Sequence, residues 1–156
     1  MKKTLVKSFA LGAGFLALTL TTGAVAPPVN ATPKEPTITV YKDPSCGCCK
    51  SWIAHLIKHG YRVDAKDTPE MAEIKRTLGI PEALASCHTA VVNGYLIEGH
   101  VPADLVKKLL AEKPAGVKGL AAPGMPASAP GMDMPGQHYT IYSFDAQGHS
   151  KIYAQR

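Results

Sequence analysis

The sequence has no cluster of lysines and arginines and no stripe of aromatic residues between basic ones. Proteins that bind nucleic acids usually carry such a basic patch on one face of the domain. The formal net charge of +5 includes three lysines close to the N-terminus, so the rest of the chain is only weakly basic. We therefore expect no nucleic-acid partner.

Charged residues are also missing between Ser8 and Val29, directly after those three lysines. A basic start, an apolar stretch and then small residues such as Ala31 are the layout of a secretory signal peptide. The stretch is just long enough to span a bilayer, so a retained anchor helix is the alternative, but its glycines and prolines make it a weak span. We predict a signal peptide over residues 1–31 and no membrane attachment once it is cleaved.

Cysteine is scarce, yet three of the four cysteines lie in the run Cys46-Gly47-Cys48-Cys49, and Cys87 follows far along the chain. Without the leader, enough chain remains to bury one hydrophobic core, so structural disulfides are not needed. Cys46 and Cys49 have the spacing of a comfortable local disulfide, whereas neighbouring cysteines cannot bridge without strain. If the protein contained two disulfides, Cys48 would have to pair with Cys87. We favour the alternative that the cysteines serve as thiolate ligands of a soft metal ion.

Alternating β-branched residues, helical stripes and turn residues predict the order β-α-β-α-β-β-α from residue 37 to residue 110. This order is the plan of an α/β, thioredoxin-like fold over residues 32–112. The cysteine run then lies between the first strand and the first helix, and the loop with Cys87 and His88 packs against it. The predicted strands are 37–41, 61–65, 90–92 and 95–97, and the predicted helices are 51–59, 69–78 and 103–110. The apolar stripe of the first helix is Trp52, Ile53, Leu56 and Ile57. Thr68 is the predicted N-cap of the second helix.

Aromatic residues are absent from residues 113–137, where prolines and glycines alternate. Such a composition predicts an irregular backbone with no core of its own. The triplet Pro-Gly-Met occurs twice, ending at Met125 and Met132. Alternating patterns at 139–144 and 150–154 predict a C-terminal β-hairpin, so we assign residues 113–156 to an irregular Pro/Gly/Met-rich segment and a hairpin that pack on the same domain.

The cysteine run lies where a helix N-terminus would stabilise negative charge, and the thiolate is the form of cysteine that binds metals. Thioethers in a segment without a core favour Cu(I), with zinc as the less favoured ion. Among the histidines, His88 and His100 have the best positions for a metal site. His55 and His59 have a metal-ligand spacing on one helix, but they lie off its apolar stripe and we expect them to be solvated.

Five motifs together resemble the CopG-like family of periplasmic copper-resistance proteins, which were formerly known only as a domain of unknown function. The motifs are Cys46-Gly47-Cys48-Cys49 (CxCC), Ser86-Cys87-His88-Thr89-Ala90, Glu98-Gly99-His100-Val101-Pro102, Pro123-Gly124-Met125-Pro126 and Pro130-Gly131-Met132. The similarity extends from about residue 37 to residue 153, with Ala127 as a minor departure where the family often has glycine. The resemblance implies a thioredoxin-like fold, a periplasmic location and a copper site. The implied metal ligands are Cys46, Cys48, Cys49 and Cys87, together with Met125, Met132, His88 and His100 by their positions in the motifs.

Three functions follow as hypotheses. The first is a periplasmic protein of copper resistance and homeostasis that binds Cu(I) at a cysteine-rich site, of one metal ion or several, with other periplasmic copper-handling proteins as partners. The second is a thioredoxin-like thiol–disulfide oxidoreductase that uses Cys46 and Cys49. The third is a structural module with two disulfides. The first is favoured, with metal binding rather than an enzymatic activity as the expected role and a copper or thiol redox step left open.

Overall fold

The computed structural model describes residues 36–156, so the predicted leader at residues 1–31 lies outside the described part of the chain. Within residues 36–156, no helix is long and apolar enough to cross a membrane.

A single mixed sheet organises the described residues, with the strand order β2-β1-β3-β4-β5-β6-β7. Strand pairs β1·β2 and β4·β5 are parallel and the other neighbours are antiparallel. The parallel βαβ unit, the β3–β4 hairpin and the helix that follows confirm the predicted α/β, thioredoxin-like fold. The elements are β1 (Thr37–Lys42), α1 (Gly47–Lys58), β2 (Arg62–Asp67), α2 (Met71–Leu78), a 3₁₀ turn (Glu82–Leu84), β3 (His88–Val92), β4 (Tyr95–Glu98), α3 (Ala103–Glu112), β5 (Gly119–Ala121), β6 (Thr140–Phe144) and β7 (Ser150–Gln155).

The core forms where α1 and α3 cover the middle of the sheet. Ile38 and Val40 alternate along β1 and are fully buried, as the period-2 pattern predicts. From α1, Trp52 is buried beside them and its Nε1 donates a hydrogen bond to the carbonyl of Val101 at 2.9 Å. This bond joins α1 to the chain segment that leads into α3. The cysteine run at the start of α1 and His100, which precedes Val101, are therefore attached to the same core.

Two helix starts differ from the prediction. Helix α1 begins at Gly47 rather than at Ser51, so two of the cysteines lie in its first turn. Helix α2 begins at Met71 rather than at Pro69, because the Thr68 side chain forms a local turn in which its Oγ1 accepts a hydrogen bond from the backbone N–H of Glu70. The predicted apolar stripe of α1 is also narrower than expected, since Ile57 is 57% exposed.

The largest difference lies in residues 113–137, which were predicted to be irregular and without a core. Strand β5 runs through this segment, pairs in parallel with β4, and joins the predicted C-terminal hairpin to the rest of the sheet. Leu120, Ala122 and Ala129 are fully buried. A Cβ on Gly119 would collide with the carbonyl of Leu96, so this strand needs a glycine that the sequence pattern associates with loops. The hairpin itself is confirmed, as β6 and β7 pair antiparallel.

Candidate metal centre

The cysteine run forms the turn from β1 into α1. Cys46 is the N-cap of α1, and its Sγ accepts a hydrogen bond from the backbone N–H of Cys49 at 3.3 Å. Cys46 and Cys49 are joined by a disulfide, the local pairing that their spacing favours. Cys48 is a free thiol whose Sγ lies 3.6 Å from the Sγ of Cys46. The structure therefore shows an oxidised pair and a third thiol beside it at the positive end of a helix.

Cys87 faces this turn from the residue before β3. Its Sγ and those of Cys46, Cys48 and Cys49 all lie within 4.8 Å of one another. Cys87 is a free thiol like Cys48, so the structure does not contain the second disulfide of the structural-module hypothesis. Burial, with a smaller contribution from Cys48, raises the pKa of Cys87 to about 11. At neutral pH this thiol is protonated, and a metal ion must displace its proton to bind.

Two histidine rings complete a second group around Cys87. The Sγ of Cys87 lies 3.2 Å from Nδ1 of His88 and 3.1 Å from Nε2 of His100. The ligand atoms of these three residues also lie within 4.8 Å of one another. Cys87 thus belongs to both groups, the four sulfurs and the cysteine with two imidazoles.

The orientation of His100 is set by its other ring nitrogen. Nδ1 lies 2.7 Å from the backbone carbonyl of Pro130, which can only accept a hydrogen bond. Nδ1 therefore carries the proton, and Nε2 presents its lone pair toward Cys87. A backbone carbonyl on the far nitrogen is the arrangement that orients metal-binding histidines in proteins. Burial also lowers the pKa of His100, which keeps the ring neutral.

His88 is fully buried against Trp52, with 4.3 Å between the ring centroids. Burial, with a smaller effect of His100, holds the pKa of His88 well below its usual value, so the ring is neutral. Its Nε2 has no hydrogen-bond partner in the described structure. A buried nitrogen without a partner costs free energy, and a neutral ring kept beside a thiol fits a ligand set for a soft or borderline metal ion.

Both Pro-Gly-Met repeats are anchored at this centre through their glycines. Gly124 pairs with Ser86, next to Cys87, in an isolated bridge, and its backbone N–H donates to the carbonyl of Ala85 at 3.1 Å. Gly131, with a φ of +87°, packs on the first turns of α1: an added Cβ would lie 2.6 Å from the backbone nitrogen of Trp52. The repeats therefore bring one glycine beside the Cys87 loop and the other against the first turns of α1, with a methionine directly after each.

The two predicted thioether ligands differ in exposure. The side chain of Met125 is 59% exposed, whereas Met132 is partly buried. Met134, which follows the second repeat, is 60% exposed. A methionine so open to solvent contributes little to a core, so packing does not explain Met125.

The helical pair His55 and His59 does not behave as predicted. His59 is exposed, but His55 is half-buried and its Nε2 accepts a hydrogen bond from the backbone N–H of Ala103 at 3.1 Å. His55 therefore satisfies one of the open amides at the start of α3. The prediction of two solvated histidines was wrong for His55, because the neighbouring helix end cannot be seen in a single helical pattern.

Sequence reasoning missed a buried ion pair behind Cys87. Glu98 is fully buried at the end of β4, and its Oε1 lies 2.5 Å from Nζ of Lys75. Glu98 begins one of the family motifs, which could have drawn attention to it. Lys75 lies on α2, far from the motif in sequence, and only the fold reveals that the two meet.

The comparisons with known proteins agree with this centre. No curated protein matches the chain. The family model described as "Protein of unknown function, DUF411" matches residues 84–132, which contain Cys87, both site histidines and both Pro-Gly-Met repeats. A solved structure described as copper resistance protein copG, form 2, is 37% identical with a TM-score of 0.74, covering 78% of this chain and 98% of that chain. Form 1 of the same protein gives 38% identity and a TM-score of 0.73, with the same coverage. This chain belongs to the CopG-like copper-resistance family, as its motifs predicted.

Proposed function

We propose that this protein binds copper as Cu(I) in the periplasm and acts in copper resistance, with Cys46, Cys48, Cys49 and Cys87 as the sulfur ligands. Membership of the CopG-like family supports the metal, and the predicted signal peptide supports the compartment. Thiolates are soft ligands that suit Cu(I), and imidazole also binds copper. His88 and His100 supply the nitrogen ligands, and Met125 and Met132 supply thioethers from the Pro/Gly/Met segment.

The observation that carries this proposal is the shared position of Cys87. Its sulfur lies within 4.8 Å of three other cysteine sulfurs and of two imidazole nitrogens. A single thiolate with ligands on both sides can bridge metal ions, so the same site can hold one copper ion or several. Zinc is less well served, because thioethers are poor ligands for it.

The disulfide controls how many of the four sulfurs are available. In the oxidised form, Cys46 and Cys49 are bonded to each other and only Cys48 and Cys87 can become thiolates. Opening the bond takes two electrons and two protons from a thiol reductant. We therefore expect the fully reduced protein to bind more Cu(I), and to bind it more tightly, than the disulfide form.

Metal stoichiometry tests this proposal directly. The reduced chain without residues 1–31 is loaded anaerobically with Cu(I), and bound copper is measured per protein after removal of the excess. Cys48→Ser should lower the bound copper, since it removes a thiolate but keeps the helix turn. Met125→Leu should weaken binding, whereas the matched change Met71→Leu on α2 should not. A wild type that takes up no Cu(I), or a Cys48→Ser variant that binds as much as the wild type, would contradict the proposal.

One feature favours a second function, thiol–disulfide exchange. The Cys46–Cys49 disulfide lies at a helix N-terminus, with Cys46 partly exposed and Cys49 buried. An incoming thiolate would attack Sγ of Cys46, form a mixed disulfide and release Cys49 as the thiolate, which the helix dipole stabilises.

Reduction of insulin by a thiol reductant distinguishes this second function from copper binding. Turnover that persists in the presence of a Cu(I) chelator, and that Cys46→Ser abolishes, would support an oxidoreductase. Copper uptake without insulin reduction would leave copper binding as the function.

A further inference from the structure

Glu98 is a carboxylate with no exposed surface, and it is surrounded by donors. Its Oε1 accepts from Nζ of Lys75 at 2.5 Å and from the backbone N–H of Ser86 at 2.6 Å, and its Oε2 accepts from Oγ1 of Thr89 at 2.6 Å. Nζ of Lys75 also donates to Oγ1 of Thr89 at 2.9 Å. Charged groups are rarely buried in this way unless their partners repay the loss of water.

The donors lie on both sides of the metal-site dipeptide. Ser86 precedes Cys87 and Thr89 follows His88, so one carboxylate holds the Cys87-His88 pair at both ends. The two residues after Glu98 also contact the Cys87-His88 segment. The backbone N–H of Gly99 donates a hydrogen bond to the carbonyl of His88 at 2.9 Å, and the ring of His100 contacts the sulfur of Cys87. Three consecutive residues therefore fix one short stretch of backbone.

Gly99 permits this close contact. Its φ is +69°, and a side chain there would collide with Oγ of Ser86 and lie within 2.7 Å of the carbonyl of Ala122. An L-residue would be strained in this conformation and would also push the Ser86 turn away. The glycine thus lets Glu98 and His100 reach the two sides of the Cys87 loop from adjacent positions.

The geometry points to Glu98 as the positioning residue of the metal centre, holding Cys87 and His88 in register with His100, with Lys75 as its counter-charge. This inference deepens the proposed function and rests on it for the metal readout. The alternative is that the Lys75–Glu98 pair only adds stability, as any buried pair can. The two differ in whether Cys87 itself moves when the carboxylate is replaced.

The first experiment measures thiol reactivity without metal. In the disulfide form, Cys48 and Cys87 are the free thiols, and a limiting dose of alkylating reagent labels each at a rate set by its accessibility and its thiolate fraction. Glu98→Gln keeps the shape of the side chain but loses the charge that binds Lys75. We expect the Cys87:Cys48 labelling ratio, read by mass spectrometry, to rise roughly fivefold, because hydrogen bonds to charged groups are stronger than neutral ones. Cys48 labelling in the same sample is the reference for reagent dose, since the donors Ser86 and Thr89 flank Cys87 and not Cys48.

The second experiment measures the reduced protein's affinity for Cu(I) by competition with a chromogenic chelator. Replacement of residues that orient metal ligands typically costs roughly tenfold to a hundredfold in metal affinity, and we expect Glu98→Gln to fall in this range. Glu73→Gln is the matched control, since it removes a carboxylate that pairs with Arg76 on the exposed face of α2. Ile141→Val lowers stability from within the core without touching the network.

The outcomes separate the two proposals. A Glu98→Gln variant with an unchanged labelling ratio, or with changes no larger than those of Ile141→Val, would overturn the positioning role. If the wild type binds no Cu(I), the proposed function fails while the labelling ratio still decides the role of Glu98. If Glu98→Gln does not fold, Thr89→Val removes one donor at nearly constant volume, and the same labelling ratio is expected to rise to a lesser extent.

Discussion

Two pairs of histidines in this molecule have opposite relations between sequence and function. His55 on α1 and His59, the C-cap residue of that helix, lie one helical turn apart, with 4.3 Å between their ring centroids. His88 and His100 are separated by the β3–β4 hairpin, with 5.0 Å between centroids. The pair that looks like a metal site in sequence lies on the surface of a helix. The pair without a recognisable spacing lies on both sides of a partly buried cysteine.

The difference lies in what the ring nitrogens contact. On α1, Nδ1 of His59 lies 2.8 Å from the carbonyl of His55, and Nε2 of His55 accepts from α3. Both contacts use backbone groups and serve helix ends. At the candidate metal centre, a backbone carbonyl binds the far nitrogen of His100, and the near nitrogens of both rings face the sulfur of Cys87. A histidine pair becomes a candidate ligand pair when the fold leaves its lone pairs directed at a third donor.

The largest effect expected from this comparison is on copper binding. Replacing both His88 and His100 by glutamine should lower the affinity of the reduced protein for Cu(I) by at least roughly tenfold to a hundredfold, the loss typical when residues that only orient metal ligands are replaced. The same double replacement of His55 and His59 should leave it unchanged. Competition with a chromogenic Cu(I) chelator measures both.

The comparison would fail if the two double variants lost equal affinity. A loss confined to the α1 pair would place the metal on the helix surface. Circular dichroism of each variant checks that a loss of affinity does not come from unfolding, because His88 is packed against Trp52.

The second prediction concerns pH and the metal-free protein. Burial lowers the pKa of His55, His88 and His100 below the usual 6.5. The unfolded chain therefore binds more protons than the folded chain once the pH falls below about 6.5, and the stability that these neutral rings contribute is lost on acidification. Each such ring adds a slope of up to about 1.4 kcal/mol per pH unit. Urea unfolding at pH 7 and pH 5 should show lower stability at pH 5.

His88→Gln and His55→Gln together test which histidine pair contributes more to the pH dependence of stability. His88 is fully buried and His55 is only half-buried, so replacement of His88 should flatten the dependence on pH more than His55→Gln does. Equal stability at pH 7 and pH 5 in the wild type would show that these rings accept protons in the folded state as readily as in the unfolded chain.

The sequence predicts the parts of this fold that depend on local patterns. The alternation of Ile38 and Val40 identifies β1, and Asn93-Gly94 identifies the β3–β4 hairpin, where both turn residues have positive φ. The thioredoxin-like order then predicts that the Cys87 loop faces the cysteine run, which is where the structure places it. Local pattern and topology together were sufficient to bring the four cysteines into one region.

The remaining features depend on contacts between distant segments. Strand β5 has only three residues, Gly, Leu and Ala, which is too short for an alternating pattern to predict a strand. From the sequence alone, Glu98 is only a polar residue at the end of a strand, and its partners Lys75 and Ser86 become known only from the fold. Such groups owe their roles to partners from other elements, and those partners are fixed by tertiary packing.

The smallest effect expected lies at the start of α3. His55→Ala removes the acceptor for the Ala103 N–H, and Pro102, the N-cap residue, makes no side-chain cap hydrogen bond of its own. Loss of a capping acceptor typically costs about 1 kcal/mol of stability. His59→Ala, one turn further along the same helix face and exposed, should cost clearly less. Urea unfolding at pH 7.5 compares the two variants. Equal losses would contradict this prediction, because the His55–Ala103 bond would then stabilise the protein no more than the contact of His59 Nδ1 with the His55 carbonyl does.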